Sequence, residues 1–312
     1  MIFLGDTPLA EIDGIFAKVE CVNPCGSIKD RIAKYIIDKS EERGLLKPGM
    51  TIVEATSGNT GIALAHYARE KGYDIVIVMP EHMTEERKQI IRSLGAELVL
   101  NSKEGSFAEA AEIRDEIAQG IEYFSVDQFA NPLNVECHYT TTGQEILRAL
   151  PEGVTGDAFV AGVGTGGSLI GVGQALKEVF PEMQVVALEP SEANVMCGGP
   201  AGTHGIFGIG DGFIPEIASD GEGGLHPLID EVVTVSTEEA KESALQLDRE
   251  TGLCVGISSG ANFLAAKRLQ SRFETVVTIL PDGYSKYVSE GITRCHLHAC
   301  PFEERCPGSL TK

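Results

Sequence analysis

Apolar and polar positions along the chain switch between two periods, and the switches mark a repeated order of strand then helix. Residues 51–55, 74–79, 96–100 and 121–126 are short β-branched or apolar runs, which predict strands buried on both faces, as in a parallel sheet. The segments between them carry helical spacing and boundary residues. One opens at the polar loop 56–60 and stops near Gly72, and one opens at Thr84, Glu85 and Glu86 and stops at Gly95. A third has Ser106 and Glu109 as a capping box and stops at Gly120. A second series follows a helical stretch over 144–150, which Pro151 and Gly153 end. It predicts strands at 158–163, 184–189 and 275–280, a helix running to Phe180, and helices over 236–252 and 259–273, the former capped by Ser236 and Glu239. Upstream, Ile28, Ile32, Tyr35 and Ile36 fall at helical spacing between the breakers Pro24 and Gly26 and a stop at Gly44, with Ser27 and Asp30 as a capping signature. Residues 191–230 are rich in glycine and poor in periodicity, and read as loops shaped around something rather than as a packed layer. The order predicts an α/β protein of two doubly wound, open-sheet domains.

Composition narrows the class without changing that picture. A chain of 312 residues with 43% hydrophobic content has material for one large or two moderate cores. The net charge of −21, from 25 Lys and Arg against 46 Asp and Glu, excludes nucleic acid and an acidic membrane face as natural partners. No apolar run approaches the ~20 residues that span a bilayer, and the start has no basic region followed by a long apolar core, so a cytoplasmic location is expected. Eight cysteines in this length are too dilute for a disulfide scaffold, and most are expected to be reduced thiols.

Candidate chemistry lies in four polar stretches. Lys29, in Asn23-Pro24-Cys25-Gly26-Ser27-Ile28-Lys29-Asp30-Arg31, would sit in the first turn of a helix. The positive end of the macrodipole disfavours an ammonium there, and a partly desolvated amine of this kind can form a Schiff base. The residues alone leave a solvated surface lysine open. Gly162, Gly164 and Gly167 fit G-x-G-x-x-G between a strand and a helix, with Glu189 ending the next strand, which matches a dinucleotide fingerprint. Yet Thr165 and Ser168 flank the glycines, and two hydroxyls suit the three terminal oxygens of a phosphate monoester better. Thr56-Ser57-Gly58-Asn59-Thr60-Gly61 and Gly256-Ile257-Ser258-Ser259-Gly260 also open helices after strands or loops. Their amides and hydroxyls can hold a carboxylate, or can simply cap.

Together these stretches resemble the fold-type-II pyridoxal phosphate enzymes, in particular the cysteine synthase and cystathionine β-synthase family. Residues 23–31 resemble that family's cofactor-lysine motif, 56–61 its substrate-carboxylate loop, 164–168 its cofactor-phosphate loop and 256–260 the loop whose first serine meets the pyridine nitrogen. Gln128, in Asp127-Gln128-Phe129-Ala130-Asn131-Pro132, matches a second carboxylate contact. The resemblance runs from Thr7 to Asp282. It implies a tryptophan synthase β-subunit-like fold, with residues 1–35 and 141–312 forming a larger cofactor-binding domain and 36–140 a smaller domain that closes over substrate. It also implies a homodimer. The implied chemistry is β-replacement on O-acetylserine, serine or cysteine by sulfide or a thiol. Lys29 would hold the cofactor as an aldimine and then act as base, and the reaction would pass through an aminoacrylate. Asn59, Gly164, Thr165, Gly166, Gly167, Ser168 and Ser258 would contact the cofactor, and Thr56, Ser57, Gly58, Thr60 and Gln128 the substrate. A cystathionine- or lanthionine-type β-synthase and a sulfide-producing cysteine lyase are implied alternatives, and a nicotinamide-dependent oxidoreductase is the rival from another class.

Two features fall outside the shared motifs. Between Lys177 and Lys241 the chain has no lysine or arginine, and it carries Asp211 where many cysteine synthases have alanine. A carboxylate at that entrance repels a dianionic leaving group, so the expected donor has a neutral β-substituent, O-acetylserine first, with Asp211 as a substrate contact. In the tail, Cys295, Cys300 and Cys306 with His296 and His298 are soft ligands at a spacing that matches no standard motif. No metal is expected, and these cysteines are the weak candidates.

Overall fold

The structure is a computed structural model and describes residues 4–56, 58–102 and 107–292. In chain order the elements are β1 (Leu9–Ile12), β2 (Ile15–Val19), α1 (Lys29–Glu42), β3 (Thr51–Ala55), α2 (Asn59–Lys71), β4 (Asp74–Pro80), α3 (Glu85–Ser93), β5 (Glu97–Asn101), α4 (Phe107–Ile117), β6 (Tyr123–Ser125) and α5 (Pro132–Cys137). A π-helical segment, His138–Gly143, leads from α5 into α6 (Gln144–Ala149). Then come β7 (Ala158–Gly162), α7 (Gly167–Val179), β8 (Gln184–Pro190), β9 (Glu231–Val235), α8 (Thr237–Thr251), α9 (Ile257–Leu269) and β10 (Val276–Leu280). Among the described residues no helix is long and apolar enough to cross a membrane.

The chain divides after Ile28 and after Leu133 into two compact units. The first, formed from 1–28 and 134–312, holds a sheet of order β1-β2-β10-β7-β8-β9 in which only the β1/β2 pair is antiparallel. Its inner strands β10, β7 and β8 are buried almost end to end, because helices cover both faces of a parallel sheet. One core cluster joins β2 and β10 to α8 and α9 through Ile15, Val19, Leu247, Phe263 and Leu280, and the other joins β7 and β8 to α7 through Phe159, Val185, Leu169 and Leu176. Burying each such side chain contributes ~2 kcal/mol. The capping box on α8 forms as its sequence predicts, with the Glu239 N–H donating to the Ser236 hydroxyl and the Ser236 N–H to the Glu239 carboxylate.

The second unit, 29–133, is a parallel sheet of order β5-β4-β3-β6. Here the expectation of strands buried on both faces holds for β3 and β4 and fails for β5 and β6. Those two are the sheet's edges, β6 is cut to three residues, and Ile121 is 96% exposed rather than in the strand. The helix expected over 144–150 is the end of a longer helical run that begins at Pro132. Ser106, one half of the capping box expected with Glu109, lies outside the described residues.

Candidate active site

In the larger unit the 164–168 loop follows the carboxyl end of the parallel strand β7, where open α/β sheets bind ligands, while the 256–260 loop joins α8 to α9. The 164–168 loop connects β7 to α7, whose N-cap is Gly166 with no side-chain cap. Among the described residues the N–H groups of Gly167, Ser168 and Leu169 find no acceptor, so the first turn of α7 presents unspent donors at the positive end of its dipole. The loop is clamped around that cradle. Gly162 N–H donates to Asn262 Oδ1 at 2.8 Å, Gly210 N–H donates to Val163 O at 2.9 Å, and Asn134 Nδ2 donates to the Thr165 hydroxyl at 3.0 Å. A Cβ on Gly164 would collide with the Gly208 carbonyl oxygen, and backbone cannot swing aside. These contacts set the loop against 208–210, directly before the half-buried Asp211.

Ser258 sits in the first turn of α9, 4% exposed, and its hydroxyl has no hydrogen-bond partner among the described residues. Its loop is fixed from the strand end of β10: Gly256 N–H donates to Asp282 O at 2.9 Å, and the Ser259 hydroxyl donates to the same oxygen at 3.2 Å. A phosphate monoester suits the α7 turn, and a heteroaromatic nitrogen suits a lone buried hydroxyl, so this donor set fits a phosphorylated pyridine cofactor. It does not fit a dinucleotide. The Glu189 carboxylate, needed for a ribose hydroxyl, is 1% exposed and already accepts from the N–H groups of Met196 at 2.9 Å and Cys197 at 2.8 Å.

Lys29 is the first residue of α1 and is half-buried. The segment before it is tied to β10, with Ser27 bridged to Asp282 and the Ile28 N–H donating to Pro281 O at 2.8 Å.

In the smaller unit the loop between β3 and α2 gathers four of the expected substrate or cofactor contacts, and Ser57 lies outside the described residues. Thr56 is 2% exposed and its hydroxyl accepts from Gly58 N–H at 3.1 Å. Asn59 opens α2, and the Thr60 hydroxyl donates to Gln128 Oε1 at 2.7 Å, while Gln128 Nε2 donates to Ala55 O at 3.1 Å. Gly58 has φ +145°, and a Cβ there would run into the Arg87 side chain. The tail cysteines Cys295, Cys300 and Cys306 lie outside the described residues.

Sequence reading missed Arg87, Glu54 and Arg114. Arg87 and Arg114 read as ordinary charges on amphipathic helices, yet they are 1% and 7% exposed. The one available signal was Glu54, a carboxylate inside an apolar strand run. Fully buried, it has its pKa pushed from 4.5 up to about 7 by desolvation, against the opposing pull of Arg114. The folded protein therefore binds a proton that the unfolded chain has released, and stability falls as pH rises from 4.5 through about 7, by ~3 kcal/mol in all. Urea unfolding at pH 5 and pH 8 should show this loss in the wild type and not in Glu54→Gln. Equal pH dependence in the two proteins would contradict the burial account.

Residues 2–282 match the family described as pyridoxal-phosphate dependent enzyme. The chain is 42% identical to a cysteine synthase of Staphylococcus aureus over 301 residues, 92% of this chain and 94% of that protein. It superposes on the crystal structure of a hydrogen sulfide-producing enzyme from Fusobacterium nucleatum with a TM-score of 0.87 at 39% identity, covering 98% of this chain and 93% of that one. With an O-acetylserine dependent cystathionine β-synthase from Helicobacter pylori the TM-score is 0.86 at 35% identity, over 94% and 100% of the two chains.

Proposed function

We propose, from the premise that the chain belongs to the pyridoxal-phosphate dependent enzyme family, that it is a cysteine synthase-type transferase replacing the acetoxy group of O-acetylserine with sulfide. Pyridoxal 5'-phosphate is its cofactor and, when bound, supplies the electron sink that lets a proton leave the substrate's α-carbon. Lys29 anchors that cofactor through its amine, takes the α-proton once displaced by the incoming amino acid, and returns a proton at the end. The amides of Gly167, Ser168 and Leu169 hold the phosphate together with Gly164, Thr165, Gly166 and the Ser168 hydroxyl. Asn59 meets the ring oxygen. Thr56, Ser57, Gly58, Thr60 and Gln128 hold the substrate carboxylate. The resemblance to cysteine synthases further supports a homodimer in the cytoplasm.

Ser258 carries the reaction type. Its buried hydroxyl has no partner among the described residues and is neutral, and a neutral donor does not stabilise a protonated pyridine ring. With a neutral hydroxyl at that nitrogen, the ring would draw less charge from the α-carbon, which would favour loss of a β-substituent over transamination. A second reading, a cystathionine- or lanthionine-type β-synthase, draws on the half-buried Asp211, which can receive a hydrogen bond from a second amino acid.

Specificity constants for O-acetylserine, serine and O-phosphoserine with sulfide, and for cysteine with a thiol such as 2-mercaptoethanol releasing sulfide, test the proposal. O-Acetylserine should lead, with O-phosphoserine at least about tenfold behind because Asp211 repels its dianion. Fastest turnover of O-phosphoserine would overturn the donor assignment, and an unchanged donor profile in Asp211→Ala would remove Asp211 from it.

A further inference from the structure

Beneath the carboxylate loop lies a charged cluster that the proposed chemistry does not use. The Glu54 side chain, 0% exposed at the end of β3, accepts from Ala55 N–H through Oε1 at 2.7 Å and from Gln128 N–H through Oε2 at 3.0 Å. Arg114 of α4 stands behind it, with Nη1 at 3.4 Å from Glu54 Oε1 and 3.1 Å from Asp127 Oδ1, and its other nitrogens on Asp115. Asp127, immediately before Gln128, has φ +49°, a left-handed turn conformation that aspartate takes more readily than most non-glycine residues. Gln128 is thus held at its backbone by the Glu54 carboxylate directly after the Asp127 turn. Its side chain is in turn held between Ala55 O and the Thr60 hydroxyl.

We propose that Glu54, braced by Arg114, is a positioning residue that fixes Gln128 and Thr60 for the substrate's α-carboxylate, and thereby sets amino-acid affinity. The inference rests on the reading of Thr60 and Gln128 as the carboxylate site. A strand interior is a costly place for a lone carboxylate, and the arginine and two amide donors account for its retention there. A neutral amide at this position keeps one acceptor oxygen but turns an NH2 group toward donors, so Gln128 shifts while the fold stays. A displaced carboxamide weakens carboxylate binding and leaves the substrate's amine end untouched.

The test is calorimetric binding to the holoenzyme of L-alanine, which has the carboxylate but no β-leaving group, and of L-alaninamide, which lacks the carboxylate. Glu54→Gln should weaken L-alanine about tenfold, the effect of one hydrogen bond, and leave L-alaninamide within about twofold. In turnover it should raise KM for the donor more than it lowers kcat. Arg114→Gln should show the same discrimination between ligands, and replaces Glu54→Gln as the test if that variant does not fold. Unchanged L-alanine affinity, or equal weakening of both ligands, would overturn the proposal. Gln128→Ala separates the two levels: if it weakens L-alanine while Glu54→Gln does not, only the positioning role falls. If Gln128→Ala leaves L-alanine unchanged, the carboxylate site falls and the positioning role with it.

Discussion

Lys29→Ala should lose β-replacement turnover by about 10³-fold or more, since one side chain is assigned both covalent anchoring of the cofactor and proton transfer. The fold should survive. The backbone around Lys29 is held by groups that the substitution does not touch: Ile28 N–H on Pro281 O, and Asn23 Nδ2 on the Glu20 carboxylate at 2.7 Å. Asp30 is fully buried beneath the Tyr67 hydroxyl, which donates to it at 3.3 Å. Only a half-buried amine on a four-carbon stem is removed, so the melting temperature should stay within a few degrees. Turnover of O-acetylserine with sulfide, measured beside a thermal melt, checks both halves. Near wild-type turnover would remove Lys29 from the chemistry.

Gly164→Ala should be the most damaging single-methyl change in the cofactor cradle. The added Cβ meets the Gly208 carbonyl, and neither side can relax: Gly162 is pinned to Asn262, Val163 accepts from Gly210, and Ile209 is 5% exposed in the core. Overpacking of this kind costs ~1–3 kcal/mol. Because the strain falls on the turn that aims the α7 amides, cofactor affinity should drop by about tenfold to a hundredfold, the same cost read at ~1.4 kcal/mol per decade. Titration of the stripped protein with pyridoxal phosphate, followed by absorbance, measures it. Wild-type affinity in the variant would mean that the phosphate is held elsewhere.

Much of this was readable in the chain because the 56–61 and 164–168 loops each join a strand of plain apolar character to a helix with a recognisable start. The run from β3 through α2 to β4 is the clearest case: 51–55 predicts β3 residue for residue, and Gly72 caps α2 in the left-handed conformation. Strands β1, β2 and β9 escaped because their patterns are mixed. β2 carries Lys18 in its interior, a charge that breaks the apolar run in one dimension. In three dimensions it is neutralised by Glu145 at 2.8 Å and donates to Thr7 O at 2.6 Å. β9 is an edge strand and mostly half-buried, so hydrophobic patterning is weak. The start of the 132–149 helical run escaped because Pro132 and three consecutive threonines, 140–142, read as helix-poor. Packing overrides that preference, as Gly171 of α7 lets the Val135 carbonyl and His138 approach closely. At the site, motifs that touch a ligand through backbone announce themselves by glycine and hydroxyl content. Glu54, Arg87 and Arg114 do not, since whether a charge is buried depends on tertiary neighbours that no local window contains.

The most direct test of the central claim is borohydride reduction of the purified holoenzyme, followed by tryptic digestion and mass analysis. The account predicts a bleached protein and a single pyridoxyl-bearing peptide spanning residues 19–31, uncut after Lys29 because the modified lysine is no longer a trypsin site. A pyridoxyl group on any other lysine, or a protein with no visible absorbance to bleach, would contradict it.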